Sequence, residues 1–229
     1  MKSASTYPFE DEGHAPPARS PSRADGREEI LNSGLHAVGL VFVIPAGVEL
    51  IRAALDSHDP ARLVSAWAFA LTLAAVYATS TLYHAARSAA RKARLQVLDR
   101  VAIAGLMAGT YTPIGLLLVR GSLGIGLCAA EWVLFAVGLA LSAHDPRRFP
   151  ERSVWLYQAM GWLTALGFGP LWQHTQPAVL GIFALGGLCY LAGVLCLVRD
   201  QIRLMHALSH ALALVASACH VWVVWQCLR

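Results

Sequence analysis

Seven apolar segments constrain the fold of this chain more than any other feature of its sequence. A helix needs roughly 20 mostly apolar residues to cross the hydrocarbon layer of a membrane, so each segment predicts one crossing. The composition agrees, since 56% of the residues are hydrophobic and only 14% are charged. We therefore predict an all-α integral membrane protein folded as a seven-transmembrane helix bundle. The predicted spans are 31–53, 63–84, 99–118, 122–142, 154–172, 178–198 and 206–228.

The amino-terminal segment differs from the rest in composition. Residues 1–27 are rich in Pro, Ser, Ala, Gly and charges, and they contain no apolar run. Such a segment cannot bury enough surface to offset the entropy lost on ordering, so 1–27 is predicted to be a disordered cytoplasmic tail. A cleaved signal peptide is not expected either, because it would need an apolar stretch close to the first residue. Residues 28–229 are predicted to form the membrane domain.

The positive residues predict the orientation of the bundle. Only four of the 18 Lys and Arg residues fall on one side of the predicted spans, and 14 fall on the other. Positive residues mark the cytoplasmic side, so the amino terminus is predicted inside and the carboxyl terminus outside a cell membrane. The formal net charge of +4 is then a topology signal, with no reason to expect nucleic-acid binding. The inner set is Lys2, Arg19, Arg23, Arg27, Arg87, Arg91, Lys92, Arg94, Arg100, Arg147, Arg148, Arg152, Arg199 and Arg203.

This topology places three histidines at the same face of the membrane. His84 ends the second predicted span, and His206 and His210 open the seventh. A spacing of four residues puts the last two rings on one helical face, about 6 Å of rise apart. Imidazole is the commonest metal ligand at neutral pH, and three imidazoles with one open position often hold catalytic zinc. We therefore predict a buried metal site near the cytoplasmic face.

Two further polar residues favour a metal site over isolated interfacial histidines. A single histidine near a helix end is more often an interfacial side chain than a ligand. Asp99, however, begins the third span at the depth of His84, where a carboxylate needs a partner or water. Ser80 lies one turn before His84 on the same face. The combination in separate helices strengthens the prediction of a metal site.

Other ionisable residues of the spans are expected to play no part in this site. His220 lies ten residues beyond His210, which is about 15 Å deeper in the membrane and too far to share the metal. Glu49 and Glu131 are expected to reach the membrane interface. The five cysteines contain no C-x-x-C pair, so neither a second metal site nor a disulfide framework is predicted.

The ordered motifs of the chain resemble those of the hemolysin III proteins, the bacterial branch of the progestin and adipoQ receptor superfamily, which includes the adiponectin receptors. The resemblance runs from Glu28 to near the end of the chain. The motifs are Glu28 to His36, Ser80 to His84, Leu98-Asp99, Ala108 to Pro113, His206 to His210 and Ser217 to His220. It implies a seven-helix bundle with a cytoplasmic amino terminus, in agreement with the distribution of arginines. It also implies zinc bound by His84, His206 and His210, with Asp99 holding the metal-bound water.

Hydrolysis is the chemistry that such a site favours. Zinc held by three neutral imidazoles polarises its fourth ligand and supplies a nucleophilic water near neutral pH. Asp99 could orient that water and accept its proton, and Ser80 could donate a hydrogen bond to it or to an oxyanion. Asn32 and His36, four residues apart on the first helix, could complete a polar pocket wall. Since relatives are associated with ceramidase-like activity, the resemblance implies a membrane lipid amide as substrate.

Two alternatives from other functional classes remain open at the level of sequence. The first is a receptor-like regulator of membrane homeostasis with a structural zinc, which a closed sphere of four protein ligands would favour. The second is a pore-forming cytolysin. A conducting pore should show a continuous polar stripe through several spans, whereas these spans are mostly Ala, Leu, Val and Gly with isolated polar residues. The sequence therefore disfavours the second alternative.

Overall fold

All regular secondary structure in the described part of the chain is helical, without a strand. The computed structural model describes residues 26–199 and 201–229. The first helix begins at Gly26, two residues before the predicted start of the membrane domain, and the remainder of the predicted tail lies outside the described residues. The helices are α1 (Gly26–Asp56), α2 (Pro60–Ala85), α3 (Ala89–Pro113) with a π-helical extension (Ile114–Val119), α4 (Gly121–His144), α5 (Phe149–Leu166), α6 (Phe168–His174), α7 (Pro177–Leu197) and α8 (Met205–Leu228).

Six of these helices are long and apolar enough to cross a membrane: α1, α2, α3 with its extension, α4, α7 and α8. They coincide with six of the seven predicted spans. Their outward faces carry large apolar side chains, such as Phe42 at 69% exposure and Leu188 at 62%. A helix that displays such residues all along its outer face requires hydrocarbon rather than water around it.

The segment predicted as a fifth span is not one helix. Helix α5 ends at Leu166, and the short helix α6 begins at Phe168. A Cβ atom on the intervening Gly167 would lie 2.6 Å from the hydroxyl of Tyr111, so this close contact requires glycine. Neither α5 nor α6 is among the six helices that meet the criteria of length and hydropathy for a span. The prediction of a continuous helix over 154–172 is therefore wrong.

Close packing of the helices brings one end of each of α1, α2 and α8 together on one side of the bundle. Helix α1 packs on α2, α2 on α3, and α7 on α8, while α8 also returns against α1. Small residues permit these approaches, as expected where helices associate in a membrane. A Cβ atom on Gly39 of α1 would collide with the ring of Tyr77 on α2. The carboxyl end of α2 and the amino ends of α1 and α8 thus lie side by side.

One prediction about the acidic residues fails. Glu131 was expected at the membrane interface, yet its side chain is 1% exposed and its Oε2 atom has no hydrogen-bond partner among the described residues. It lies ten residues into α4, about 15 Å from the helix start, which places it inside the bundle rather than at an end. Glu49, by contrast, is exposed and pairs with Arg52 at 2.7 Å.

Candidate metal centre

Two helix ends place three histidines around one point. His84 is the second-last residue of α2, and it is 5% exposed. His206 and His210 occupy the first two turns of α8, where a spacing of four residues aligns them on one face. Because α8 starts beside the end of α2, the face of α8 that carries both rings is turned toward His84.

The ligand atoms of the three histidines fit a single metal ion. One ring nitrogen from each lies within 4.8 Å of the others, and Nε2 of His84 lies 3.1 Å from Nε2 of His210. The nitrogens around a tetrahedral zinc with Zn–N bonds of about 2.0–2.1 Å are about 3.3 Å apart. The ring centroids are separated by 5.2, 4.9 and 4.6 Å, and all three pairs meet edge to face. The cluster could therefore hold a metal ion after only a small contraction.

A carboxylate that the sequence analysis did not select orients one of these rings. Nδ1 of His84 lies 2.8 Å from Oε2 of Glu29 on α1, and Oε1 of the same carboxylate lies 2.7 Å from Nζ of Lys92 on α3. A hydrogen bond from the second ring nitrogen to a carboxylate is typical of histidine ligands in metal sites. The sequence did contain a signal for Glu29: its spacing to Asn32 and His36 puts all three residues on one face of α1.

Two polar side chains of α1 line the same end of the bundle. The ring of His36 is 4.2 Å from that of His210 and 6.1 Å from that of His84, measured between centroids. Asn32, one turn earlier, is fully buried. Both ring nitrogens of His36 and both amide atoms of Asn32 have no hydrogen-bond partner among the described residues. Buried polar groups are rarely left in this state, so water or a ligand is expected beside them.

Ser80 and Asp99 form a second polar pair near the histidines. Ser80 lies one turn before His84 and is 3% exposed, and its hydroxyl lies beside the carboxylate of Asp99. Asp99 is not among the described residues whose ligand atoms cluster within 4.8 Å. The structure thus brings Asp99 next to Ser80 but does not group it with the three possible ligands.

Known proteins match the segment of the chain that contains every residue of this site. The model of the family described as haemolysin-III related matches residues 25–221. The chain belongs to this family. The hemolysin-3 homolog of Bacillus subtilis (strain 168) is 32% identical over 204 residues, which are 89% of this chain and 96% of that protein. Hemolysin-3 of Bacillus cereus is 31% identical over 192 residues, which are 84% of this chain and 88% of that protein.

A more distant relative comes from animals. The monocyte to macrophage differentiation factor of Homo sapiens is 25% identical over 221 residues, which are 93% of this chain and 90% of that protein. The resemblance to the hemolysin III family found in the sequence motifs is thus confirmed. Together with the six helices that could span a membrane, these matches identify a multi-pass plasma membrane protein.

His220 stands apart from the metal cluster of this haemolysin III-related protein. Its ring packs between Phe183 and Tyr190 of α7, with centroid distances of 5.3 and 5.5 Å. A Cβ atom on Gly186 would lie 2.5 Å from the ring, so glycine makes room for the imidazole. His220 is not grouped with the other histidines as a potential ligand among the described residues.

Proposed function

We propose that this haemolysin III-related protein is a zinc-dependent hydrolase that cleaves an amide bond of a membrane lipid. The observation that carries the proposal is the triangle of imidazoles from α2 and α8, whose ligand atoms lie within 4.8 Å of one another. Histidine nitrogens suit zinc, as they suit copper, iron and nickel, and a tetrahedral zinc with three protein ligands keeps one position for water or substrate. A partly buried site that keeps an open position is typical of catalysis.

The orientation that we propose places the site at the cytoplasmic headgroup level. The bundle crosses the membrane seven times, with the α5–α6 segment as the fifth crossing, the amino terminus inside and the carboxyl terminus outside. The connections at the histidine end of the bundle are rich in arginine, which supports a cytoplasmic location. A lipid of the cytoplasmic leaflet can then present the bond next to its headgroup to the three histidines.

A lateral groove supports lipid access. A cavity of about 580 Å³ lies between α1 and α8 and is lined by apolar residues such as Phe42 and Trp222, with the hydroxyls of Tyr77 and Ser217 among them. The two hydroxyls are hydrogen-bonded at 2.8 Å, and the ring of Tyr77 is 5.4 Å from that of His36. The groove therefore lies beside the polar wall of the metal centre, with the ring of Tyr77 between the groove and His36.

The protein groups around the zinc have distinct tasks in the proposed reaction. His84, His206 and His210 would hold the zinc, which would supply Lewis acidity and activate a water near neutral pH. Asp99 accepts a proton from the attacking water, and Ser80, which lies beside the Asp99 carboxylate, orients it. The water oxygen forms a bond to the carbonyl carbon, and the bond between that carbon and nitrogen breaks. The fatty acid leaves with the water oxygen, and the amine leaves with the proton from Asp99.

Asn32 and His36 form the wall that would face the lipid headgroup. Their buried, unpartnered polar atoms offer an amide and an imidazole to the hydroxyl and amide groups of a substrate. A site built to pair such groups discriminates strongly against a lipid that lacks them, because its own polar atoms then stay unpaired. This arrangement favours a hydroxylated lipid amide over a simple ester.

One observation favours a second function, that of a receptor-like regulator with a structural metal. The ring of His36 is 4.2 Å from that of His210, so a fourth imidazole stands next to the cluster. If His36 completed the metal sphere, no position would remain for water, and the metal would be structural.

The name hemolysin belongs to the relatives from Bacillus. A conducting pore is not supported here, because the core of the described bundle is built from side chains such as Phe69, Leu73 and Ile114.

The hydrolase proposal is tested by reconstitution. Zinc-loaded protein in lipid discs is supplied with ceramide-like lipids and native bacterial lipids, and the release of free fatty acid is compared with that of a His84→Ala variant. The wild type should release fatty acid and the variant should not. Equal release by the two proteins, with zinc confirmed in the wild type, would leave the regulatory function as the better explanation.

A further inference from the structure

Glu29 makes two contacts that tie three helices together at the metal centre. Its Oε2 atom lies 2.8 Å from Nδ1 of His84 on α2, and its Oε1 atom lies 2.7 Å from Nζ of Lys92 on α3. The side chain of Glu29 is 21% exposed, so the carboxylate is largely withdrawn from water. Charge-assisted bonds in such surroundings are short and directional.

These contacts determine which nitrogen of His84 can bind a metal. A carboxylate that is paired with a lysine only accepts hydrogen bonds, so Nδ1 of His84 must carry the proton and donate it to Glu29. In a neutral imidazole the lone pair is then on Nε2. Nε2 is the atom that points into the cluster, 3.1 Å from Nε2 of His210. The carboxylate thus selects both the tautomer and the direction of the ring.

Lys92 fixes the carboxylate in turn. Its ammonium group lies over the ring of Tyr83, 5.1 Å from the centroid, while it holds Oε1 of Glu29. With one oxygen held by Lys92, the carboxylate cannot rotate away from His84 without breaking an ion pair. The first turn of α1 and the start of α3 therefore both restrain a ligand that α2 carries.

The neighbouring Glu28 contacts the start of α8, the helix that carries His206 and His210. Its Oε1 atom accepts a hydrogen bond of 3.1 Å from the backbone N–H of Leu204, whose φ angle of 66° marks the turn just before α8. His206 follows two residues later. The first turn of α1 thus contacts both elements that carry the histidines, through two consecutive acidic residues.

We propose that Glu29 is a positioning residue of the metal centre, which sets the tautomer of His84 and so raises the affinity for zinc. The inference rests on the proposed metal site and does not depend on the lipid reaction. Replacing a carboxylate that orients a histidine ligand typically weakens metal binding about 10- to 100-fold. The glutamine variant keeps an acceptor without the charge and is expected to lose less than a variant without an acceptor.

The test compares Glu29→Met and Glu29→Gln with the wild type by titration of zinc against a chelator of known affinity. Glu49→Met is the matched control, since Glu49 lies on the same helix and pairs with Arg52 at the surface. We expect the methionine variant to bind zinc about 10- to 100-fold more weakly, the glutamine variant to be intermediate, and the control to equal the wild type. In metal-free protein, nitrogen NMR of His84 should show the proton on Nδ1 in the wild type but not exclusively so in Glu29→Met.

The possible results distinguish a failure of the proposed role of Glu29 from a failure of the proposed metal site. Wild-type zinc affinity in both Glu29 variants, or an unchanged tautomer of His84 in Glu29→Met, would overturn the role of Glu29 and leave the metal site intact. A wild-type protein that takes up no zinc would overturn both. If Glu29→Met does not fold, the glutamine variant decides, because it preserves the size of the side chain and can still accept the hydrogen bond.

Discussion

Replacing His210 with alanine should remove most of the metal affinity of the protein. The ring centroid of His210 lies 4.9 Å from that of His84 and 4.6 Å from that of His206. Its loss leaves only two of the three imidazoles to bind the metal. Loss of a residue that only orients a ligand costs about 10- to 100-fold in affinity, so loss of a ligand should cost at least about 100-fold. That factor corresponds to about 2.8 kcal/mol of binding free energy.

His220→Ala is the matched control for this experiment. His220 lies on the same helix and is 7% exposed, but its ring packs on α7 instead of on the other histidines. Both variants remove an imidazole that packs against other side chains of the bundle, so both should lower the free energy of unfolding of the metal-free protein. Only His210→Ala should weaken zinc binding in a competition titration. The reasoning would be refuted if His210→Ala bound zinc as tightly as the wild type, or if His220→Ala weakened binding as much.

Three further predictions follow from the structure and the proposals. Asp99→Asn should retain zinc, measured by metal analysis, but release no fatty acid, because the carboxylate acts on the water and not on the metal. In a background without native cysteines, a cysteine at Arg91 should be shielded from impermeant thiol reagents in intact cells, whereas one at Asp59 should be labelled. Gly186→Ala should lower the melting temperature, because its Cβ atom would lie 2.5 Å from the ring of His220, and overpacking of this kind costs about 1–3 kcal/mol.

Each of these has a result that would count against it. If Asp99→Asn lost zinc as completely as a histidine variant, Asp99 would be a direct ligand. Labelling at Arg91 with protection at Asp59 would place the histidines outside the cell. For the glycine prediction, Gly187→Ala is the control, since a Cβ atom there meets no neighbour within 4 Å. Because alanine favours a helix more than glycine does, Gly187→Ala should keep or raise the melting temperature. An equal fall in melting temperature for both glycine variants would contradict the role of the contact with His220.

The sequence predicted most of the helical architecture, because hydropathy over about 20 residues responds to the membrane alone and needs no knowledge of packing. The predicted span 178–198 differs from α7 by one residue at each end, and 206–228 differs from α8 by one residue at its start. The break at Gly167 was missed for two reasons. Hydropathy does not register Pro170, which has no N–H to bond the carbonyl of Leu166, the last residue of α5. The close contact between Gly167 and Tyr111 joins two different helices, so the segment alone does not contain it. Hydropathy averages over such a break.

The site shows the same division between local and non-local information. The spacing of His206 and His210 is local, and it correctly placed two rings on one face of a helix. The bond between Glu29 and His84 joins residues 55 positions apart, so no single-segment pattern contains it. Glu131 was misplaced for a related reason: the depth of a carboxyl within a bundle depends on which neighbours cover it, and the sequence of α4 alone does not contain that information.

The most direct test of the metal centre is zinc-edge X-ray absorption spectroscopy of the purified wild-type protein. The account predicts about one zinc per chain, bound by three imidazole nitrogens and one oxygen at about 2.0–2.1 Å. Four imidazoles would show that His36 closes the sphere and would favour the structural role. Absence of zinc, or sulfur ligands at about 2.3 Å, would contradict the three-histidine centre itself.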